Sequence, residues 1–395
     1  MGCLITEELS VNILSAVVMP PSGGFIDGIV YGLVGWLVGL IGSYGVAILL
    51  FSLVLKLVTL PLDFGNKYFS KKNTIKMAEL NPEIEKLKSQ YANDPIALNR
   101  ERSNLYKKHG YSQGGFCLFT LLSLGLTLFI FISVYGALNN ISNYNVMVQY
   151  DRLEETYIAC QADPSRDVNA ELKSTYDKNS AGFLWVKNIW RPDSFVGQTL
   201  SFDEFRNATA KLPDSIFWTA DGKAIEKGSE DDKVLRETYD KIFTPIKDAH
   251  QGLNGWLLLV LLAGASTFFS TMINNKITAK KKEEKAEEVV QYSMRSTKAT
   301  AGGEQQKMPQ MDPAQMGNIM KFVMPVIMIG FAISTTSAMA LYIIANSIFS
   351  TLFAIGINFV IDKIIFAQKT KEKQIEDIPI NPHAKYFRSA RKKEK

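Results

Sequence analysis

Four long stretches of this chain carry almost no charge, and no other feature restricts its fold as strongly. Residues 28–62 contain one charged side chain, Lys56. Residues 111–150, 253–275 and 322–361 contain none. A helix needs about 20 apolar residues to cross the hydrocarbon core of a bilayer, and each stretch reaches that length. The whole chain is only 47% hydrophobic and 21% charged. The segregation along the chain, and not its average, defines the class: an all-α polytopic membrane protein.

Residues 28–62 are too many for one span and too few for two, and "IGSYG" at 41–45 is the natural break. Residues 44–62 read as the first span. The segment before it, residues 24–41, places Gly28, Gly32, Gly35 and Gly39 on one stripe near Asp27 and Tyr31, opposite Val, Leu and Trp. This suits a helix lying in the membrane interface within an outer segment 1–43. The alternative is a further spanning helix packed through its glycines. The second span reads as 114–138 and the third as 253–275. The last run, 322–361, is twice a span, so a fourth and a fifth are expected, turning at "STTS" (334–337).

Charge orients the spans. Residues 65–113 hold ten Lys/Arg against five Asp/Glu, residues 276–321 nine against six, and residues 367–395 nine against four. Residues 139–252 hold fourteen against nineteen, and residues 1–43 hold no Lys or Arg. The positive-inside rule puts the first three segments in the cytoplasm. A five-span bundle with its amino terminus outside and its carboxy terminus inside satisfies all of them.

Between the spans, residues 63–113 read as a cytoplasmic helical hairpin broken at "NDP" (93–95), with Asp94 or Asn93 as cap and Pro95 at the first helical position. Met77, Leu80, Ile84 and Leu87 form one apolar stripe, with Ile96, Leu98 and Leu105 a partial second. Such a hairpin either packs on itself as a solvated pair or forms a basic cap over the cytoplasmic mouth. "KKKEEKAEE" (280–288) and the polar stretch to Asp312 read as a flexible loop in 276–321. Residues 362–395 form a basic tail, suited to anionic lipid, RNA or counterions alone. The outer segment 139–252 is a loop or small domain, with a helix over 231–248 that puts Val234, Leu235, Ile242 and Phe243 on one side. It has a turn at "TADGKA" (219–224) and an aromatic run, "GFLWVKNIWRPDSF", suited to the membrane interface.

Catalytic chemistry has little to stand on. Cys3, Cys117 and Cys160 are far apart, with no zinc or disulfide pattern, and His109, His250 and His383 lie on different segments. No metal, cofactor or nucleophile–base pair is expected, and no span carries the paired aspartates or Ser/His dyad of an intramembrane protease. The start "MGCLITEELS" lacks a basic n-region and formally matches a myristoylation pattern.

Several blocks together resemble the YidC-type membrane protein insertases of the Oxa superfamily, bacterial members of the family. "YGVAILLFSLVLKLVTLPL" is similar to the first core span. "KMAELNPEIEKLKSQYANDPIALNRERSNLYKKHG" is similar to the cytoplasmic hairpin, most specifically through Asn81, Pro82, Tyr91, Asp94, Pro95 and Leu105-Tyr106-Lys107. "GGFCL", "FLWVKNIWRPDSF", "LLVLLAGASTFFSTMI" and "ALYIIANSIFST" resemble the family's later blocks in order. The chain departs from the family in carrying Lys56 where arginine is usual. It also lacks prolines around the second span and before the last, and residues 197–252 resemble an insertion.

The resemblance implies an insertase or chaperone, not an enzyme, in the bacterial plasma membrane. Its substrates would be hydrophobic segments of nascent membrane proteins, which move from the cytoplasm into the lipid bilayer through a hydrophilic groove. The implied groove holds Lys56, with Thr120, Ser123, Thr127, Ser266, Thr267, Ser270, Asn346 and Ser347 as candidate neighbours. For each hydroxyl the competing reading is a bond to its own helix carbonyl. For Lys56 it is snorkelling to the interface. Met77, Pro82, Tyr91, Asp94, Pro95 and Tyr106 belong to the implied hairpin site. The ribosome, through the basic tail, and the Sec translocon are the further partners implied. An assembly scaffold beside a translocon and a transporter with an anion site at Lys56 are the competing functions.

Overall fold

The computed structural model describes the backbone of residues 25–111, 113–195, 197–212, 215–219, 221–249, 253–293 and 313–376. It describes side chains over 25–111, 121–195, 197–212, 215–219, 221–248, 253–277 and 322–367. Among the described residues there are ten α-helices and three isolated β-bridges. The helices are α1 (Phe25–Ile41), α2 (Tyr44–Gln90), α3 (Pro95–Lys108), α4 (Gln113–Ala162), α5 (Val168–Asn179), α6 (Phe202–Thr209), α7 (Glu230–Ala249), α8 (Leu258–Ser293), α9 (Pro313–Ser334) and α10 (Ser337–Glu376). Four are long and apolar enough to cross a membrane, over Tyr44–Gln90, Leu121–Ala162, Leu258–Ile277 and Ser337–Ala367. Phe25–Ile41 and Phe322–Ser334 are shorter apolar helices.

The breaks between apolar helices fall where the backbone chemistry demands them. Gly42 adopts φ +72°, a left-handed conformation open to glycine at little cost. Its N–H returns to the Val38 carbonyl at 2.7 Å, ending α1 at Ile41, with Gly42 and Ser43 between it and α2. Thr335 and Thr336 separate α9 from α10, inside the expected "STTS" turn.

Several helices outrun the segments expected of them. α2 continues through Pro61 and Pro82 into the first arm of the hairpin. α4 runs unbroken from the second span to Ala162, so residue 139 is not a structural boundary. Nothing from Ala137 to Ala162 is Gly or Pro, and the helix stops where Asp163-Pro164 disfavours helical geometry. α8 begins at Leu258, five residues later than expected, and extends to Ser293. The expected flexible loop is therefore helical over 280–293, where Lys, Glu and Ala are strong helix formers. Residues 294–312 and 377–395 lie outside the described residues.

The chain divides into two compact units. One comprises residues to Pro61 together with Cys117–Thr351; the other comprises Leu62–Phe116 with Leu352 onward. The first has two hydrophobic cores. The bundle core gathers Val30, Val34 and Val38 of α1, Tyr44, Ile48 and Phe51 of α2, Val134, Leu138 and Ile141 of α4, Leu259 and Ala263 of α8, Ala332 of α9, and residues 338–343 of α10. α1 thus packs through valines, Tyr31 and Leu37. Its Gly32 and Gly39 face open space, which removes packing through these two glycines. Trp36 (61% exposed) and Phe25 (85%) point away from the bundle.

The second core builds a small helical domain, over roughly 146–249, from the C-terminal end of α4 with α5, α6 and α7. Tyr150, Leu153, Leu172, Tyr176, Phe202, Phe205, Phe217, Tyr239, Ile242, Phe243 and Ile246 fill it. Val234, expected on the same side, is instead 62% exposed. The helical register starts at Glu230, and the stripe that meets the core is 239, 242, 243 and 246. Half-buried Arg206 and buried Asp232 form an ion pair, with Arg206 also 4.8 Å over the Phe217 ring. The "TADGKA" turn closes through Thr219 N–H to the Lys223 carbonyl at 2.8 Å.

In the other unit the hairpin packs on itself. Leu80 and Ile84 are buried, and the Tyr106 hydroxyl donates to Met77 Sδ at 3.9 Å. Tyr106 and Tyr111 rings lie 4.8 Å apart, and Lys76 Nζ donates to the Gly110 carbonyl at 2.9 Å. Asp94 caps α3, accepting from Ile96 N at 3.1 Å and Ala97 N at 2.9 Å, with Pro95 at the first position. Ile96 joins no stripe: it is 83% exposed, because the cap turns it outward at the start of α3. Lys71 and Asp362 form an ion pair between α2 and α10 in this unit.

Candidate functional site

The bundle is packed at one end only. On α2 the buried run ends at Ser52, and residues 53–61 are all half-buried or exposed. On α4, Val134 is the last buried position before a stretch, 121–133, in which only Ser123 is buried. On α8, residues 265–277 contain no buried side chain after Gly264. On α10 the buried run closes at Ala345, and none of 346–351 is buried. An aromatic layer floors the packed half: Phe51 and Tyr342 rings are 6.4 Å apart, Phe131 and Phe331 5.5 Å, and Tyr135 and Phe331 5.1 Å.

Polar residues collect beyond that layer. Lys56 is half-buried on α2, five residues past Phe51, or about 7.5 Å along the helix axis. Ser123 is buried on α4. Ser266 and Thr267 lie on α8, and Asn346 and Ser347, both half-buried, on α10. Thr267 Oγ1 and Ser347 Oγ approach to 3.4 Å, joining α8 to α10. The side chain of Thr120 lies outside the described residues.

Most hydroxyls here are bonded within their own helices. Ser266 and Thr267 donate to the Ala263 carbonyl at 3.1 and 2.8 Å, Thr127 to that of Ser123 at 2.8 Å, and Thr351 to that of Ser347 at 2.8 Å. Their donors are engaged, which leaves oxygen lone pairs to make the surface polar. Of the hairpin residues, Met77 and Tyr106 meet each other, Tyr91 and Asp94 shape the turn through Asp94 N–H to the Tyr91 carbonyl at 3.1 Å, and Pro82 is exposed.

The opposite end is closed by a polar network that sequence reasoning assigned to the membrane interface. Within 182–195, Val186, Ile189 and Trp190 are buried in the bundle core. Trp190 stands edge-on to Tyr44 at 4.7 Å. Leu184 and Phe195 alone among its large apolar side chains are more than half exposed.

Asn254, fully buried, donates from Nδ2 to the Asn188 and Pro192 carbonyls at 2.8 and 2.9 Å and accepts from Asn188 N at 2.8 Å. Asp193 accepts from Leu257 N and Leu259 N, at 3.0 and 2.6 Å, and from Trp185 Nε1 at 3.3 Å. Gly255 sits where any Cβ would overlap the Asp193 carboxylate. Ser337 donates from both N and Oγ to the Arg191 carbonyl, at 2.9 and 2.7 Å. The legible signal was polar residues, Asn188, Arg191 and Asp193, set inside an aromatic run. Asn254 and Ser337 offered none, because their partners lie 66 and 146 residues away.

Among the described residues no group of His, Cys, Asp and Glu is placed to hold a metal. The arrangement is that of a polytopic helical membrane protein with a tight seal at one end and a polar, loosely packed region holding a lysine at the other. Residues 36–365 match the family model described as 60Kd inner membrane protein, and the chain belongs to that family.

It is similar to proteins named membrane protein insertase YidC. That of Clostridium tetani is 40% identical over 99 residues, covering 25% of this chain and 41% of the relative. That of Chloroherpeton thalassium is 35% identical over 173 residues, 44% of this chain and 22% of the relative. That of Anaeromyxobacter dehalogenans is 34% identical over 200 residues, 48% and 29%. The matched part thus spans less than half the length of these relatives.

Proposed function

We propose that the protein is a membrane protein insertase that moves hydrophobic segments of newly made proteins from the cytoplasmic side of the membrane into the bilayer. The carrying observation is the lengthwise asymmetry of the bundle: core to Phe51 and Ser52, then Lys56 among half-buried polar side chains. The charge distribution of the loops supports placing the open end toward the cytoplasm and the 182–195 seal outside.

A positive charge in a wet cleft favours the acidic or polar tail of a substrate and lowers the cost of bringing it partway into the membrane. The apolar part of the substrate then leaves sideways. α4 supports such an exit, since Leu121, Leu122, Leu124, Leu128 and Phe129 are more than half exposed in the open region. Transfer of an apolar helix into lipid is downhill, and no covalent step is required.

The hairpin and the basic tail are the proposed contacts for nascent chain, ribosome and translocon. The test is insertion of an acidic-tailed single-span substrate into proteoliposomes holding the purified protein. Insertion by the wild type and its loss in Lys56→Ala are expected. Equal insertion by both sinks the role of Lys56, and solute flux without insertion would favour a transporter.

A further inference from the structure

Arg191 belongs to two parts of the molecule at once. Its backbone carbonyl receives Ser337 N and Oγ at 2.9 and 2.7 Å, and the neighbouring Ile189 carbonyl receives Ala338 N at 3.0 Å. These are the first N–H groups of α10, which have no partner within their own helix. Asn254 clamps the same segment through Asn188, Arg191 and Pro192 carbonyls.

The guanidinium points elsewhere. Its Nη2 is 3.9 Å from Glu204 Oε2 of α6, and it lies within electrostatic reach of Tyr176 and Tyr239 in the core of the small domain. The residue is only 9% exposed, and Nε is buried with no hydrogen-bond partner among the described residues. Burial lowers its pKa, with Glu204 acting against that shift. An apolar residue often serves stability as well as a buried, incompletely paired cation, so packing alone does not account for an arginine here.

We propose that Arg191 is a positioning residue that couples the folded small domain to the closed end of the bundle, so that the domain holds the first turn of α10 in place. The small domain is then a clamp on the seal, acting through the Arg191 side chain beside the Tyr176–Asn188 hydrogen bond. The coupling stands on geometry alone; its value to the protein rests on the insertase reading, for which a sealed outer end is required.

Hydrogen exchange of the full-length protein in lipid nanodiscs tests it. Arg191→Met should speed exchange of the Ser337 and Ala338 amides about tenfold, leave those of Ile48 and Phe51 in the bundle core unchanged, and Arg191→Lys should fall between. Phe205→Ala, which loosens the small domain, should speed the same two amides in the wild type but not further in Arg191→Met. Unchanged rates at 337–338 in Arg191→Met overturn the proposal, as does an equal effect of Phe205→Ala in both backgrounds. A uniform rise that includes Ile48 and Phe51 also overturns it, since Arg191 would then serve the fold generally. Insertion measured on the same samples separates the two ideas: coupled exchange without wild-type insertion removes the insertase reading and leaves the coupling.

Discussion

The Asp193 carboxylate accepts the backbone N–H of Leu259 at 2.6 Å, across 66 residues of sequence. It also takes Leu257 N at 3.0 Å, so one distant side chain does for α8 what an N-cap residue ordinarily does. The local sequence "LNGWL" before Leu258 offers no Ser, Thr or Asp next to the helix, and Leu257 takes φ +58° to present its N–H.

Asp193→Ala therefore removes the acceptor of three N–H groups, the backbone N–H of Leu257 and of buried Leu259 and the Trp185 indole N–H, at a cost of about 1–3 kcal/mol. Asp193→Asn keeps one acceptor but turns an amide N–H₂ toward a donor, and should recover only part. Thermal unfolding in detergent should rank wild type above Asn above Ala. Equal midpoints for all three would show that the cap contributes nothing.

Gly264 sets the approach of α8 to α9. A Cβ there would overlap the Ile329 side chain, and overpacking of this kind costs about 1–3 kcal/mol. Gly264→Ala should destabilise the bundle, and Ile329→Val in the same chain should return part of the loss. The double-mutant cycle checks it, since independent sites would simply add.

The parts of the fold that were legible are those fixed by neighbours in sequence. Gly42 and Ser43 end α1, Asp94 and Pro95 start α3, and the 334–337 turn separates α9 from α10, because a φ preference or a missing N–H acts within a few residues. Helix ends that coincide with no such residue were misplaced. The change from apolar to polar text near Asn139 does not interrupt helical hydrogen bonding, so α4 passes through it. The site divides in the same way. Lys56 stood out by its apolar context alone. The closure built by Asn188, Arg191, Asp193, Asn254 and Ser337 was out of reach, since each bond joins residues whose proximity only the fold creates. Val234 and Ile96 were misassigned because a stripe read from spacing has an uncertain phase at a helix start.

Acid should undo the small domain before neutral or mildly alkaline pH does. Hydrogen bonds from Lys227 and then Arg236 hold the Asp203 carboxyl below its ordinary 3.8. Glu204 is pushed up by burial, but the Ser201 backbone and hydroxyl bonds and the Arg191 charge outweigh this and leave it below 4.5. Both pKa values are lower folded than unfolded. The stability they contribute is thus complete above the ordinary carboxylate range and is lost as pH falls through the depressed values. The fluorine resonance of Trp218 in the full-length protein labelled with fluorotryptophan, assigned by its loss in Trp218→Phe and followed from about pH 7 to 2, should keep its folded position until the carboxylate range and then lose intensity. Asp203→Asn should flatten that acid limb; an unaltered limb would remove Asp203 as a contributor.

The proposed role of Lys56 separates by charge and by shape. Lysine presents a compact point charge with three rotatable donors, arginine a planar fork. If attraction of an acidic tail is what matters, Lys56→Arg keeps the charge and should retain most insertion. Lys56→Gln keeps polarity without charge and should lower insertion of acidic-tailed substrates by about tenfold, the equivalent of about 1.4 kcal/mol of lost attraction. Lys56→Glu should lower it further by repulsion. A substrate with an uncharged tail should distinguish these variants far less. Initial insertion rates for the two substrates across the four proteins provide the comparison. If Gln and Glu impair both substrates alike, Lys56 acts by shaping the open end of the bundle, and the electrostatic account fails.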